Sequence, residues 1–189
     1  MPKLFVNAQS LLNHAMELAL QVFETGYQPT IILGVWRGGT PIAIAVQEVF
    51  EWLRCSTDHY AIRTSSYDAH GKQAKTVKVF GLQQLSDMRS TDRVLIIDDT
   101  FDTGRSIEAI IEGVINLYGN SCPEEIKIAT VFYKPTLNQT GRMPDFYREI
   151  TEDWIVFPHE LLGCDEDELK MHKDMSETVI SKLIELKGS

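Results

Sequence analysis

Three aspartates stand where a run of apolar residues ends. The run is 94–97, and Asp98, Asp99 and Asp102 follow it. Carboxylates this close together repel one another, so the group needs an outside partner such as a divalent cation, sugar hydroxyls or a protonated substrate. The pattern therefore predicts a binding site rather than an ordinary acidic turn.

The residues that come next predict a site for an anion. Thr103, Gly104, Arg105 and Ser106 lead into a helix pattern, and a helix N-terminus offers free backbone N–H groups and the positive end of the helix dipole. The dipole contributes only about 0.3–1 kcal/mol, so the N–H groups and hydroxyls would do most of the binding. Acids beside an anion site favour a ligand with a sugar at one end and a phosphate at the other. The spacing fits neither a calcium loop, a P-loop nor a dinucleotide-binding glycine motif.

A second candidate anion loop follows an earlier apolar run. Gly38 and Gly39 come after the run 31–35 and open a helix pattern. Glycines let backbone amides approach an anion closely, and Arg37 adds a positive charge. Ligands of parallel sheets bind beyond the carboxyl ends of the strands. We therefore expect this loop at the same edge of the sheet as the aspartates.

The segment 94–106 resembles the phosphoribosyl pyrophosphate (PRPP) motif of type I phosphoribosyltransferases. The resemblance implies that Asp98 and Asp99 hold the ribose hydroxyls and help bind Mg²⁺, with Asp99 as the expected metal ligand. It also implies that residues 102–106 bind the 5′-phosphate. In the 6-oxopurine branch, the acid at the position of Asp102 faces N7 of the base, so Asp102 is the expected general acid and base.

Two further segments resemble loops of this branch. The sequence Arg37-Gly38-Gly39 is similar to the pyrophosphate loop of bacterial xanthine-guanine phosphoribosyltransferases. That resemblance implies a cis peptide bond between Trp36 and Arg37. Ser66 and Tyr67 resemble the start of the flexible loop that closes over the site and excludes water during the reaction.

The resemblance also assigns residues to the base and to a second metal. Lys134 follows an apolar run at 126–133, and it would donate to O6 of the purine. Trp154 would stack on the base, and the backbone of Ile155 would read its edge. Glu160 stands where the family usually has an aspartate that helps hold a second Mg²⁺, and the resemblance implies that this glutamate is a metal ligand.

Strand and helix patterns alternate along the chain. Apolar runs predict buried strands over 31–35, 93–97 and 126–133, with further strands near 59–65, 76–80 and 154–157. Apolar spacing predicts helices over 8–25 and 107–118, one that starts with Thr40 as its cap and runs to about Arg54, and one or two near the C-terminus.

This alternation predicts an α/β fold with a mainly parallel sheet covered by helices on both faces. With the resemblance, it becomes a type I phosphoribosyltransferase fold plus a small hood. We expect a single domain over 1–189, with a core over about 31–135, a hood over about 136–163 and a C-terminal helical segment over about 165–187.

Composition excludes several classes of partner. The 189 residues carry a formal charge of -9, which disfavours binding to nucleic acid or to anionic lipid. No apolar run is long enough for a membrane helix, and we expect a cytoplasmic protein.

The three cysteines are far apart, so they predict neither a disulfide framework nor a zinc site. Asn138-Gln139-Thr140 matches the glycosylation pattern, which we interpret as a chance match.

The expected function is transfer of phosphoribose from PRPP to N9 of hypoxanthine, guanine or xanthine, with release of pyrophosphate and formation of a nucleoside monophosphate. Mg²⁺ is the expected cofactor, and the family resemblance implies a dimer or tetramer. Two alternatives stay open. One is a phosphoribosyltransferase for another base, and the other is a non-catalytic PRPP or nucleotide sensor on the same fold.

Overall fold

The computed structural model describes residues 2–67, 73–85 and 88–188. The strands and helices follow in the order β1 (Lys3–Phe5), α1 (Ala8–Glu24), β2 (Ile31–Trp36), α2 (Gly39–Trp52), β3 (Asp58–Tyr67), β4 (Gln73–Phe80), β5 (Arg93–Phe101), α3 (Arg105–Tyr118), β6 (Glu125–Tyr133), β7 (Phe146–Ile150), β8 (Trp154–Val156), α4 (Glu166–His172) and α5 (Glu177–Lys187).

The chain divides into two compact units. The larger unit is His14–Glu152, and the smaller one combines Met1–Asn13 with Asp153–Ser189. The domain boundaries that we expect near 135 and 164 stay a prediction. Among the described residues, no helix has the length and apolar character needed to cross a membrane.

The larger unit is built on a six-stranded sheet in the order β4-β3-β2-β5-β6-β7. Every neighbouring pair is parallel except β3 with β4, which is antiparallel. The mainly parallel α/β sheet that the sequence predicts is therefore confirmed. Residues 31–35 of β2 and 94–97 of β5 are apolar and buried, because helices flank the sheet and neither side of these segments meets water.

Apolar side chains of α3 pack on one face of the sheet. Ile107, Ile110 and Val114 are buried in one cluster with Val94 and Ile96 of β5. Each of these residues has at most 3% of its surface exposed. This packing fixes the direction in which α3 leaves the end of β5.

Helix α2 lies close to strand β2. A Cβ at Gly34 would fall 2.8 Å from the Cβ of Ala43, a separation too short for two methyl groups. The glycine in β2 and the alanine in α2 therefore let the helix approach the strand. Phe50 of α2 in turn meets Phe23 of α1 edge to face, with ring centroids 6.2 Å apart.

Three element boundaries differ from the sequence prediction. Helix α2 starts at Gly39 with Gly38 as its cap, so the assignment of Thr40 as the cap is wrong. The N–H of Thr40 donates to the carbonyl of Arg37 at 3.2 Å, which places Thr40 inside the first turn. The helix ends at Trp52 because Arg54 has a left-handed backbone, with φ of 62°. Strand β5 continues through the aspartates to Phe101 because β6 pairs with it that far.

The smaller unit contains a two-stranded parallel sheet of β1 and β8, together with α4 and α5. Helix α4 has a capping box, in which Asp165 accepts from the Glu168 N–H and the Glu168 side chain accepts from the Asp165 N–H. The ammonium of Lys3 also lies 2.7 Å from the carboxylate of Glu168. The capped helix and β1 are thus joined through one glutamate.

Candidate functional site

The aspartate pair lies at the carboxyl end of β5, in the middle of the larger sheet. The backbone N–H of Asp99 donates to Oδ1 of Asp98 at 2.9 Å. Burial, together with the neighbouring charge of Asp99, raises the pKa of Asp98 well above its usual value. A carboxyl in this position gains from any ligand that brings hydroxyl donors or positive charge to it.

The glycine loop after β2 packs directly against these aspartates. A Cβ at Gly38 would fall 1.7 Å from Oδ2 of Asp99, and a Cβ at Gly39 would fall 2.4 Å from the carbonyl oxygen of Ile97. Only glycine leaves room for this approach. The two loops that the sequence predicts at one edge of the sheet are therefore together, and the Trp36–Arg37 peptide bond is cis, as the resemblance implies.

The predicted phosphate loop turns from β5 into α3. Gly104 is the cap of α3 and has a left-handed backbone with φ of 76°, a conformation that glycine adopts at little cost. The hydroxyl of Thr103 accepts from the N–H of Arg105 at 3.5 Å. Asp102 is exposed on this turn. The start of α3 therefore presents backbone N–H groups and hydroxyls where the sequence places the 5′-phosphate.

Lys134 lies beside the same turn. Its backbone N–H donates to the carbonyl of Phe101 at 2.9 Å, which continues the pairing of β5 with β6. Lys134 is buried, with 6% of its surface exposed. Within the described ranges, no carboxylate or carbonyl partner is found for its ammonium.

The donor set suits a magnesium ion that is shared with a substrate. Among the residues that the structure describes, no group of three His, Cys, Asp or Glu side chains could hold a metal ion. Mg²⁺ is usually held by one or two carboxylates together with substrate phosphates and water. Asp98 and Asp99 supply such a pair at the end of β5, so they fit the ion without a closed protein cage.

The residues predicted for base stacking and for a second metal are part of the other compact unit. Trp154, Ile155 and Glu160 belong to the smaller unit, where Trp154 is exposed and Ile155 is buried. One carboxylate oxygen of Glu160 accepts from the N–H of Phe157 at 3.3 Å. The roles that the resemblance gives these residues stay predictions.

The structure describes only part of the predicted flexible loop. The backbones of Ser66 and Tyr67 end strand β3, and their side chains lie outside what is described. Residues 68–72 of the loop also lie outside the described residues. The function of this loop stays a prediction.

Sequence reasoning missed three threonines near the site. The hydroxyl of Thr64 in β3 donates to Oγ of Ser106 at 3.5 Å. The hydroxyls of Thr100 and Thr130 are buried without a hydrogen-bond partner within the described part of the chain, and Thr130 pairs in register with Asp98. A single polar residue inside an apolar strand is the signal that could have identified Thr130.

Comparisons with known proteins agree with this geometry. The sequence profile of the phosphoribosyl transferase domain matches residues 5–166. A purine phosphoribosyltransferase from Pyrococcus horikoshii is 31% identical, with a TM-score of 0.66, and the match covers 87% of this chain and 99% of that one. No curated protein matches the sequence.

Two solved structures at lower identity share the fold. The xanthine-guanine-hypoxanthine phosphoribosyltransferase of Helicobacter pylori has a TM-score of 0.67 at 21% identity, and the match covers 90% of this chain and 100% of that one. The hypoxanthine phosphoribosyltransferase of Trypanosoma cruzi, in complex with the product IMP, has a TM-score of 0.59 at 16% identity over 78% of each chain.

Proposed function

This chain belongs to the phosphoribosyl transferase domain family, and on that premise we propose that it transfers the phosphoribosyl group of PRPP to N9 of a 6-oxopurine. In this reaction the C1′–N9 bond forms, and the bond between C1′ and the pyrophosphate oxygen breaks. The products are a nucleoside monophosphate and pyrophosphate. Hypoxanthine, guanine and xanthine are the bases that share the 6-oxo group.

The buried Lys134 is the observation that carries the choice of base. An ammonium has three donors and no acceptor, and no described group accepts from that of Lys134, so a ligand can supply the acceptor. A 6-oxo group supplies the missing acceptor, whereas the 6-amino group of adenine would place a donor against a donor. The position of Lys134 beside the phosphate turn, through its hydrogen bond to Phe101, supports its contact with the base of a bound nucleotide.

The sugar and phosphate are assigned to the end of β5 and the start of α3. Asp98 and Asp99 accept hydrogen bonds from the ribose hydroxyls. The N–H groups and hydroxyls from Thr103 to Ser106 bind the 5′-phosphate, favoured by the helix dipole. The negative charge of the aspartates also favours the positive charge that develops on the ribose, since such transition states resemble an oxocarbenium ion.

The leaving group and the base proton are assigned to two exposed residues. Arg37 and the N–H groups of Gly38 and Gly39 hold the departing pyrophosphate. Asp102 holds the proton of N7 while N9 forms its bond to C1′, a role that commonly contributes about 10²–10⁴-fold to the rate. Asp99 would help hold Mg²⁺, which would supply positive charge to neutralise the leaving group.

Pyrophosphate release tests this proposal directly. The purified protein is mixed with PRPP and Mg²⁺ and then with hypoxanthine, guanine, xanthine, adenine or uracil in separate reactions. We expect turnover with at least one of the first three bases and none with adenine. EDTA should abolish the turnover, and turnover that persists in EDTA would contradict the magnesium assignment.

Binding of PRPP is measured in parallel by calorimetry. A protein that binds PRPP but turns over none of the five bases would contradict the enzymatic function and favour the sensor. Turnover with adenine or uracil alone would contradict the assignment of Lys134 and favour a different base.

A further inference from the structure

The phosphate loop is held from outside by a neighbouring segment, residues 138–142. The backbone N–H of Gln139 donates to the carbonyl of Thr103 at 3.0 Å. A Cβ at Gly104 would fall 2.6 Å from the hydroxyl oxygen of Thr140. A hydrogen bond and a close packing contact therefore join this segment to the two residues that precede α3.

A third contact joins the segment to the first turn of α3. The guanidinium of Arg142 lies 3.6 Å from the carboxylate of Glu108. Both side chains are partly exposed, so this ion pair contributes little by itself. The ion pair joins the same two segments as the other two contacts, and all three place residues 138–142 against the start of α3.

The side chain of Asn138 organises the segment. Its Oδ1 accepts from the N–H of Thr140 at 2.9 Å and from the hydroxyl of Thr140 at 3.0 Å. Its Nδ2 donates to the carbonyl of Arg142 at 2.7 Å and to the hydroxyl of Tyr133 at 3.4 Å. One amide thus fixes both ends of a tight turn and connects it to the end of β6.

An anion site at a helix start depends on such support. Glycine loses more conformational freedom on ordering than any other residue, so a loop centred on Gly104 is costly to hold in one conformation. The N–H groups bind phosphate well only if they already point to one place before the ligand arrives. The turn that Asn138 holds supplies this order from the far side of the loop.

We propose that Asn138 is a positioning residue for the 5′-phosphate loop, acting through Gln139 and Thr140. This inference rests on the proposed function, because it concerns the affinity of the same site for PRPP. It also assigns a role to the Asn138-Gln139-Thr140 motif, in which the asparagine and threonine side chains are joined by a hydrogen bond. The motif is a structural turn of the binding site.

Kinetic measurements on Asn138→Ala test the inference. We expect the KM for PRPP to rise about tenfold, as the loss of several hydrogen bonds in a loop implies, with the KM for the purine within about twofold of wild type. Asn138→Ser should recover part of the loss, because a serine hydroxyl can accept from the N–H two residues on. Asn116→Ala, an exposed asparagine in α3, is the matched control and should leave both constants unchanged.

A double variant distinguishes positioning of the phosphate loop from a general disturbance of the binding site. Thr140→Val removes the hydroxyl that Asn138 accepts from but keeps the shape of the side chain. If both residues act through one turn, the double variant should raise the KM for PRPP no further than Asn138→Ala alone. Effects that multiply would contradict the inference. An equal rise in both KM values would also contradict it, because that result indicates a change of the whole site and not of the phosphate loop alone.

Binding without turnover distinguishes failure of this inference from failure of the proposed function. Ribose 5-phosphate and pyrophosphate are titrated separately into wild type and Asn138→Ala. We expect weaker binding of ribose 5-phosphate only, because pyrophosphate uses the loop of Gly38 and Gly39. Equal affinities for ribose 5-phosphate in both proteins would overturn the role of Asn138. If the wild type binds neither ribose 5-phosphate nor PRPP, the proposed function fails and this inference fails with it.

Discussion

Replacement of Lys134 by methionine removes the ammonium from the proposed base site and little else. Methionine has nearly the same length and volume, and a buried site usually tolerates such a change at a cost below about 1.5 kcal/mol. The backbone N–H of residue 134 keeps its hydrogen bond to Phe101. Asp98, Asp99 and the phosphate loop are untouched, so the change isolates one contact.

The size of the effect follows from burial. A hydrogen bond to a charged group contributes about 1.5–3 kcal/mol net, and each 1.36 kcal/mol is a factor of ten. Lys134 has only 6% of its surface exposed, so a purine bound at its ammonium would exclude water from the contact, and we place the contribution toward the upper end of that range. Lys134→Met should therefore raise the KM for the 6-oxopurine about 30- to 150-fold. The KM for PRPP should stay within about twofold, because no phosphate or ribose contact is lost.

Steady-state kinetics with each substrate varied in turn measure this split. Lys127→Met is the matched control, because Lys127 lies on β6, the strand that Lys134 follows, but its ammonium packs over the rings of Tyr27 and Phe146. The control should leave both KM values unchanged. Unchanged purine affinity in Lys134→Met, or equal losses for both substrates, would refute the assignment. We also expect Lys134→Met to turn over adenine no faster than wild type. The substitution removes the donor of Lys134 but supplies no acceptor for the 6-amino group.

Three further predictions follow from the site and the smaller unit. Asp102→Asn should lower kcat about 10²- to 10⁴-fold with little change in the KM for PRPP, and equal changes in both would remove its catalytic role. Gly39→Ala should lower the free energy of unfolding by about 1–3 kcal/mol in urea titration, because the added Cβ would fall 2.4 Å from a backbone oxygen. Gly141→Ala is the control and should leave the free energy of unfolding unchanged, because nothing lies within 4 Å of its added Cβ. The pKa of Glu168 is lowered by its hydrogen bond from Lys3, so its stabilising effect is complete above the ordinary value of 4.5 and is lost as the pH falls through the lowered value. Wild type should therefore melt at a higher temperature than Glu168→Gln at pH 7, and the difference should vanish in acid; a difference that does not change with pH would contradict this.

The centre of the fold could be predicted because local and global requirements agree there. The runs 31–35 and 94–97 have no charged or polar side chain, as is typical of strands buried on both faces of a parallel sheet. The polar residues after them stand out against that background. The sequence therefore predicts both the central strands and the loops that meet at their carboxyl ends.

The edges of the fold could not be predicted in the same way. Strand β7 has exposed residues over most of its length, and β1 has only three residues, so neither gives a clear pattern. Both strands form because a partner strand offers its backbone, which is information that lies elsewhere in the chain. The start of α2 was misplaced for a similar reason, since the packing of Gly39 against β5, and not a capping side chain, decides where the helix begins.

The role of the supporting turn at Asn138 could not be predicted from the sequence. Its residues match a familiar surface motif, and the hydrogen bonds within it are local. Its importance comes from its contact with Thr103 and Gly104, more than thirty positions earlier in the chain. Such a contact becomes visible only when β5 and β6 are placed side by side.

Strand β5 is paired with β2 over residues 94–97 and with β6 from Arg93 to Phe101. Amide protons of a strand enclosed in this way exchange with solvent only through the largest openings of a domain. The part of β5 that leads into the aspartates therefore opens only together with the whole sheet. A destabilising substitution far from the site should reduce the fraction of active molecules, while the molecules that remain folded keep their affinity for substrate. Substrate binding should in turn slow amide exchange throughout the sheet.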